Sequence, residues 1–328
     1  MRFTYAMAIA CIFFAGCDSA IKNPNPQVVE EPGTEISETA DLETEEEEDY
    51  VIQGPLFDDV TEADLTGFYV GYFMPDREKL NGEENLYVDE GYVWRRENKI
   101  NISIDRFEGD SIYGHSVVAG NDRPFKGTFT RNDETEQYVF SVREPGDDRY
   151  DGAFEFAIEG SGMAGTWAAY QDLTVKYRKY ELERQGYLYD ADVMLEHAKQ
   201  YINWQKSIEQ TDSIEYEEGE FEEYVLKEFS TSTDRIYEIN ASNTVLTQEI
   251  VENLKKEDLR IIRNTIYARH GYSFKNRPLR VFFDAQSWYV PVHTDIRGEF
   301  TDIERQNIEL LLRYEQNAEE YYDSFGRG

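Results

Sequence analysis

Ile100-Asn101-Ile102-Ser103-Ile104-Asp105, then Glu108-Gly109-Asp110, then Ser111 to Val118, is the stretch whose reading decides the fold. Isoleucines alternate with polar residues at a period of two, the pattern of a strand with one buried face. Glu108-Gly109-Asp110 reads as a turn and Ser111 to Val118 as the return strand. Outward from there the alternation recurs in Phe125 and Phe129, in Tyr138, Phe140 and Val142, and in Phe154, Phe156 and Ile158. Gly165 to Tyr170 and Val175 to Leu182 add two more strands, Leu65 to Met74 opens the set, and Tyr87 to Arg95 is a further candidate. Seven to nine short strands joined by Gly, Asp and Asn turns predict an antiparallel β-barrel-like or curved-sheet domain over residues 59–184. Its aromatics, Phe68, Phe125, Phe129, Phe140, Phe154, Phe156 and Trp167, are expected to fill the core, because small barrels are packed with side chains. A wider barrel would instead leave them lining a ligand cavity. His115 reads as a packed or surface strand residue. Asp147, Asp148 and Asp151 crowd a Pro-Gly loop without the spacing of a calcium loop.

Toward the N-terminus, Arg2 and the apolar run Ala6 to Phe14 have the form of an export signal, too short to span a bilayer as a permanent helix. Phe14-Ala15-Gly16-Cys17 resembles the lipobox of bacterial lipoproteins, with Phe14 where leucine is usual. That resemblance implies cleavage after Gly16, a lipid on Cys17 and a membrane-anchored protein of the bacterial cell envelope, in the periplasm or on the cell surface. Cys11 would leave with the signal at residues 1–16, so the remaining thiol is acylated and neither a disulfide nor a cysteine-ligated metal is available. Residues 17–58 carry Asn23-Pro24-Asn25-Pro26, Glu31-Pro32-Gly33 and the acidic run Glu45 to Asp49, and read as a self-repelling disordered tether. A net charge of −34 opposes binding to nucleic acid phosphates and to anionic lipid headgroups. The membrane would then be reached through the lipid alone.

Beyond the β domain, residues 185–240 read as a helical and acidic connector. Val193, Ala198, Tyr201 and Trp204 can share one helical face over Asp190 to Trp204, with His197 facing solvent. Ser207 to Glu228 then sets Tyr216, Phe221 and Tyr224 among glutamates, as a segment that docks locally or as a linker. Residues 241–328 read as a small all-α domain. Thr247 is placed to cap a short helix, a second runs from about Glu257 to His270 with Gly271 as its stop, and Leu279 to Ala285 forms a third. Trp288-Tyr289-Val290-Pro291 makes an extended exit, and Thr301-Asp302-Ile303-Glu304 is a capping box opening a long last helix.

Arg263-Asn264-Thr265-Ile266-Tyr267-Ala268-Arg269-His270-Gly271-Tyr272 concentrates the polar chemistry. Leu259, Ile262 and Ile266 mark an apolar stripe, and at about 100° per residue Arg263 and His270 fall beside it. Asn307 falls in the middle of the last helix's stripe, with Glu304 near it. Buried polar groups need partners, since an unpaired one costs roughly 1–3 kcal/mol. Together with Phe274, Trp288-Tyr289, Pro291, Glu304 and Asn307, this run resembles the YARHG domain family over about residues 244–316. Thr265 stands where that family often has glutamate. The resemblance implies a bacterial envelope setting and no particular activity. Thr66-Gly67-Phe68-Tyr69 is loosely similar to the first strand of lipocalin-like barrels, over those residues only.

The fold class is therefore α+β multidomain: the β domain followed by the all-α domain. Three readings of the polar run follow. In the first it is a structural seam of Arg263, Asn264, Glu304 and Asn307, with Arg263 paired to Glu304 and with His270 and Asn307 bonding loop backbone around Trp288. In the second, Arg269, His270, Trp288 and Tyr289 face a groove that binds a wall glycan, a peptide or an envelope protein without turnover. In the third, His270 is a general base oriented by Glu304, although no nucleophile and no His-Glu-x-x-His spacing accompanies it. A scaffold for envelope assembly is a further possibility. No cofactor, metal or nucleic acid is expected.

Overall fold

The computed structural model describes residues 62–80, 86–132, 137–217 and 219–321. The signal-like stretch, Cys17 and the acidic tether lie outside them. A single helical turn, α1 (Glu62–Leu65), leads into β1 (Gly67–Pro75), β2 (Leu86–Asp89), β3 (Tyr92–Arg95), β4 (Asn98–Glu108) and β5 (Ser111–Val118). There follow β6 (Asn121–Asn132), β7 (Gln137–Arg143), β8 (Gly152–Glu159), β9 (Gly162–Ala169) and β10 (Tyr177–Gln185). All but β2 and β3 close into an eight-stranded antiparallel barrel in the order β1-β10-β9-β8-β7-β6-β5-β4. Each strand's alternation sends one set of side chains inward. Ile100, Ile102 and Ile104 of β4 are buried there with Phe125, Phe140, Phe154, Phe156 and Trp167, and Leu65 of α1 joins the same core. An eight-stranded barrel is just wide enough to be filled in this way.

Three expectations for this region need correction. Tyr87 to Arg95 is not a barrel strand: β2 and β3 form a separate hairpin. Phe68 is not in the barrel core but packs outside, beside Val70, Val290, Val292 and Tyr187. Nor is β4 half-buried, because Asn101 and Ser103 on its outer face are as hidden as the isoleucines. The same outward patch explains both: the C-terminal helical unit lies against β1 and β4. The Lys99 ammonium donates to Gln286 O (2.7 Å) and Tyr289 O (2.9 Å), and Asp284 Oδ2 accepts from Lys99 N (2.9 Å). Tyr72 OH donates to Asp284 O (2.8 Å). Burial pushes the Asp284 carboxyl up and the Lys99 ammonium down, each opposing its charged form. At the β5–β6 turn, Gly120 has φ +75° and gives its N–H to Ser273 Oγ (2.9 Å). A Cβ there would lie 2.9 Å from the Lys275 backbone nitrogen, so the approach requires glycine.

The connector differs most. Residues 190–201 are turns and extended chain rather than helix. The apolar residues that share a helical face by spacing are claimed by different neighbours: Trp204 stacks on Tyr92 (4.5 Å between centroids), while Tyr201 meets Phe282 edge-on in the helical core. His197 is exposed and stacks on Tyr237 (3.7 Å). The acidic segment beyond is a long hairpin of β11 (Ile202–Glu217) and β12 (Glu220–Thr231).

The helical unit holds α2 (Gln248–Val251), α3 (Lys256–Arg269), α4 (Arg277–Phe283) and α5 (Asp302–Tyr321). Three boundaries have a local cause, and the expected Thr247 cap of α2 is not among them. Thr247 stands at the α2 cap without a side-chain bond, and Asn276 caps α4 by accepting from Leu279 N (3.2 Å) ahead of Pro278. Gly271 leaves α3 at φ +66°. Thr301 and Glu304 close a capping box, Glu304 N on Thr301 Oγ1 (3.2 Å) and Thr301 N on Glu304 Oε2 (2.9 Å). Among the described residues no helix is long and apolar enough to cross a membrane.

Candidate functional site

The polar run of α3 is largely hidden. Arg269 is 3% exposed and His270 5%. Arg269 forks Nε and Nη2 onto Val193 O (2.9 and 2.7 Å) and gives Nη1 to Ser242 Oγ (3.0 Å). Burial lowers its pKa to about 10, which leaves the guanidinium charged at neutral pH. His270 Nε2 lies 2.8 Å from Glu304 Oε2, with the Tyr189 ring stacked on the imidazole (4.3 Å) and Phe300 edge-on to it (5.4 Å). Tyr189 OH donates to Glu304 Oε1 (2.9 Å). Burial opposes the Glu304 carboxylate, but the bonds from His270 and Thr301 N outweigh it and hold its pKa below the usual range. Asn307 accepts from Leu246 N (2.9 Å) and donates to Ala241 O (2.7 Å) and Thr244 O (2.8 Å). Asn264 Nδ2 donates to Arg260 O (2.7 Å), within its own helix.

Three expectations fail on this geometry. The side chains of His270 and Asn307 do not bond the backbone around Trp288: His270 meets Glu304, and Asn307 holds the segment from Ala241 to Leu246 ahead of α2. Arg263 does not reach Glu304; it forks onto Glu315, Nε to Oε2 (2.9 Å) and Nη2 to Oε1 (3.2 Å). Nor do Arg269, His270, Trp288 and Tyr289 face a common groove. Tyr289 is 1% exposed with its hydroxyl on Tyr272 O (2.7 Å), and Trp288 is half-buried against the helical core. The opening lies beside Tyr267 instead. A cleft of about 600 Å³ is walled by Tyr267, Tyr272 and Phe300, with Asn264, Lys275 and Arg297 among its polar residues. Tyr267 and Phe300 stack there at 5.3 Å. The isolated His293 is exposed, its ring edge-on to Tyr187.

A second cavity, of about 570 Å³, occupies one end of the barrel. Its walls are the last inward positions of the strands. Asn98 precedes Ile100 in β4, Ser116 follows Ile112 and Gly114 in β5, Arg123 precedes Phe125 in β6, and Arg178 precedes Tyr180 in β10. Glu144 follows Phe140 and Val142 just past β7. It accepts from Ser116 Oγ (3.0 Å), Gly152 N (2.7 Å) and Trp167 Nε1 (3.4 Å), and burial, against those bonds, raises its carboxyl to about 7. Lys275, Arg277 and Arg280 close over this end from the start of α4. Sequence reading missed this layer, though it carries a signal: in several strands the inward alternation turns polar at the same end. Asp148 and Asp151 of the Pro-Gly loop are engaged with Arg123 (3.2 and 3.0 Å).

Fold and site define a closed eight-stranded barrel joined to a small helical unit whose polar run is folded inward. Residues 235–316 match the YARHG domain family, so the helical unit is a YARHG domain. No curated protein and no solved structure matches the chain.

Proposed function

We propose that this chain is a lipid-anchored protein of a bacterial cell envelope whose YARHG domain is a non-enzymatic binding module for a wall glycan, a peptide or an envelope protein. The cleft beside Tyr267 carries the reading. Aromatic rings flanked by an amide, an ammonium and a guanidinium suit a sugar face or a peptide stem. The binding residues are accordingly Tyr267, Tyr272, Phe300 and Arg297 rather than the buried face of Arg269 and Tyr289. Lipid-free chain from Asp18 onward is expected to pellet with purified wall sacculi in a salt-resistant manner. Tyr267→Ala with Arg297→Ala should reduce the pelleted fraction at least fivefold with the thermal transition retained. No pelleting by the parent chain counts against a wall ligand.

The 2.8 Å contact between His270 and Glu304 favours a second reading, an envelope hydrolase with His270 as base. The rings of Tyr189 and Phe300 over the imidazole weigh against it. Turnover of wall fragments that disappears in a folded His270→Gln variant would reinstate it.

A further inference from the structure

We propose that the mouth of the barrel is a separate binding site for a small organic anion, a carboxylate or phosphate group carried on a flat apolar body. The chain has 33 Lys and Arg against 67 Asp and Glu, yet the mouth gathers Arg123, Arg149, Arg178, Lys275, Arg277 and Arg280 around one carboxyl, Glu144. Like charges held together in a partly enclosed space repel, so an anion placed among them is favoured. Some are locally engaged: Arg123 with Asp148 and Asp151, and Arg277 with Asp89 (3.1 Å). Among the described residues neither Arg149 nor Lys275 meets a carboxylate at ion-pair distance.

The floor beneath these charges is aromatic. Phe73, Phe154 and Trp167 pack on one another with centroids 5.5–6.4 Å apart, and the Arg178 guanidinium lies over the Phe73 ring at 4.9 Å. Arg178 is aimed by its bonds to Phe73 O (2.8 Å) and Arg96 O (3.0 Å). Asn98, 9% exposed, leaves its side-chain oxygen without a hydrogen-bond partner at the wall, a ready acceptor for a ligand hydroxyl or amide. Guanidinium groups pair with carboxylate and phosphate in a two-bond fork, and rings below take a flat body. The volume is that of an ordinary small-molecule site.

Two probes sharing one skeleton test this. Anilinonaphthalene sulfonate is the anion and N-phenyl-1-naphthylamine its neutral counterpart, each titrated into the intact chain and read by fluorescence. The sulfonate is expected to bind with one-to-one saturation and to quench Trp167, the quenching being lost in Trp167→Phe. Arg149→Glu with Arg277→Gln should weaken it at least tenfold and leave the neutral probe unaffected, while Tyr267→Ala in the YARHG cleft should change neither. As a check that needs no variant, benzoate should displace the sulfonate and benzyl alcohol should not. Equal binding of the two probes, an unchanged sulfonate affinity in the double variant, or equal displacement by benzyl alcohol would overturn the proposal. The cleft reading is tested by wall sedimentation and stands or falls apart from these results.

Discussion

Glu144 follows the apolar inward positions of β7, Phe140 and Val142, and is held under the barrel mouth by Ser116, Gly152 and Trp167. Its pKa rises from 4.5 to about 7 because burial penalises the charged form more than these bonds and Arg123 favour it. The sign follows from proton binding. Between about pH 4.5 and 7 the folded chain keeps a proton that the unfolded chain has lost, so this group lowers stability as pH rises through that window, with the full penalty above it. Glu144→Gln removes the penalty, and its amide can still accept from Gly152 N and donate to Ser116. The variant is expected to gain roughly 2–3 kcal/mol over the parent at pH 8 and almost nothing at pH 4.5. Urea unfolding at both pH values reads this, and a parent-to-variant difference independent of pH would contradict it. At this scale the sequence revealed that Asn307 and His270 sit on or beside apolar stripes and must find partners. It could not reveal the partners. Val193 O, which holds Arg269, lies in a segment whose spacing reads as a helix but whose chain is turns and extended backbone.

Elements were legible where local chemistry fixes them. Alternation gave β4 to β9, and Thr301 with Glu304 gave the start of α5. The register between α3 and α5 was not legible. Glu304 and Glu315 are roughly three helical turns apart and project on nearly the same side, so angular counting cannot tell which of them meets Arg263. Antiparallel packing decides it, setting His270 against Glu304 and Arg263 against Glu315. The β11–β12 hairpin escaped because its pattern is mixed on both faces: Ile214, Phe221, Val225 and Leu226 are all exposed among the glutamates. Its hold on the molecule is at the base, where Trp204 stacks on Tyr92 and Trp94 and Lys227 meets Glu90. Trp204→Ala should therefore cost about 3–5 kcal/mol, as for a buried aromatic. Replacing Ile214 to Glu222 with a short Gly-Asn turn, which keeps Ser213 opposite Glu223, should change stability by less than about 0.5 kcal/mol. Thermal unfolding of the two variants checks the contrast, and comparable losses in both would place the hairpin's anchoring along its length instead.

Across the whole molecule, barrel and YARHG domain share buried surface and not merely a linker. Lys99 donates across the junction from its backbone N–H to Asp284 and from its ammonium to Gln286 O, Val70 packs on Val290 and Val292, and Gly120 closes on Ser273. Single-transition calorimetric unfolding is expected, with equal calorimetric and van't Hoff enthalpies. Lys99→Met leaves the buried carbonyls of Gln286 and Tyr289 without their donor and should lower the whole transition without splitting it; two resolved transitions would show that the parts melt independently. This junction was out of reach of sequence reading, since polar Asn101 and Ser103 look solvent-facing until the covering surface is known.

The roof over the barrel mouth has a consequence for descent. Lys275, Arg277 and Arg280 travel with the YARHG segment, and Arg123, Arg149 and Arg178 with the barrel. Recombination that moved either segment to another chain would carry half of the cationic ring and leave half behind. Under the anion-site proposal the two segments would be inherited as a pair, and drift in one set of three charges would restrict what the other set can tolerate.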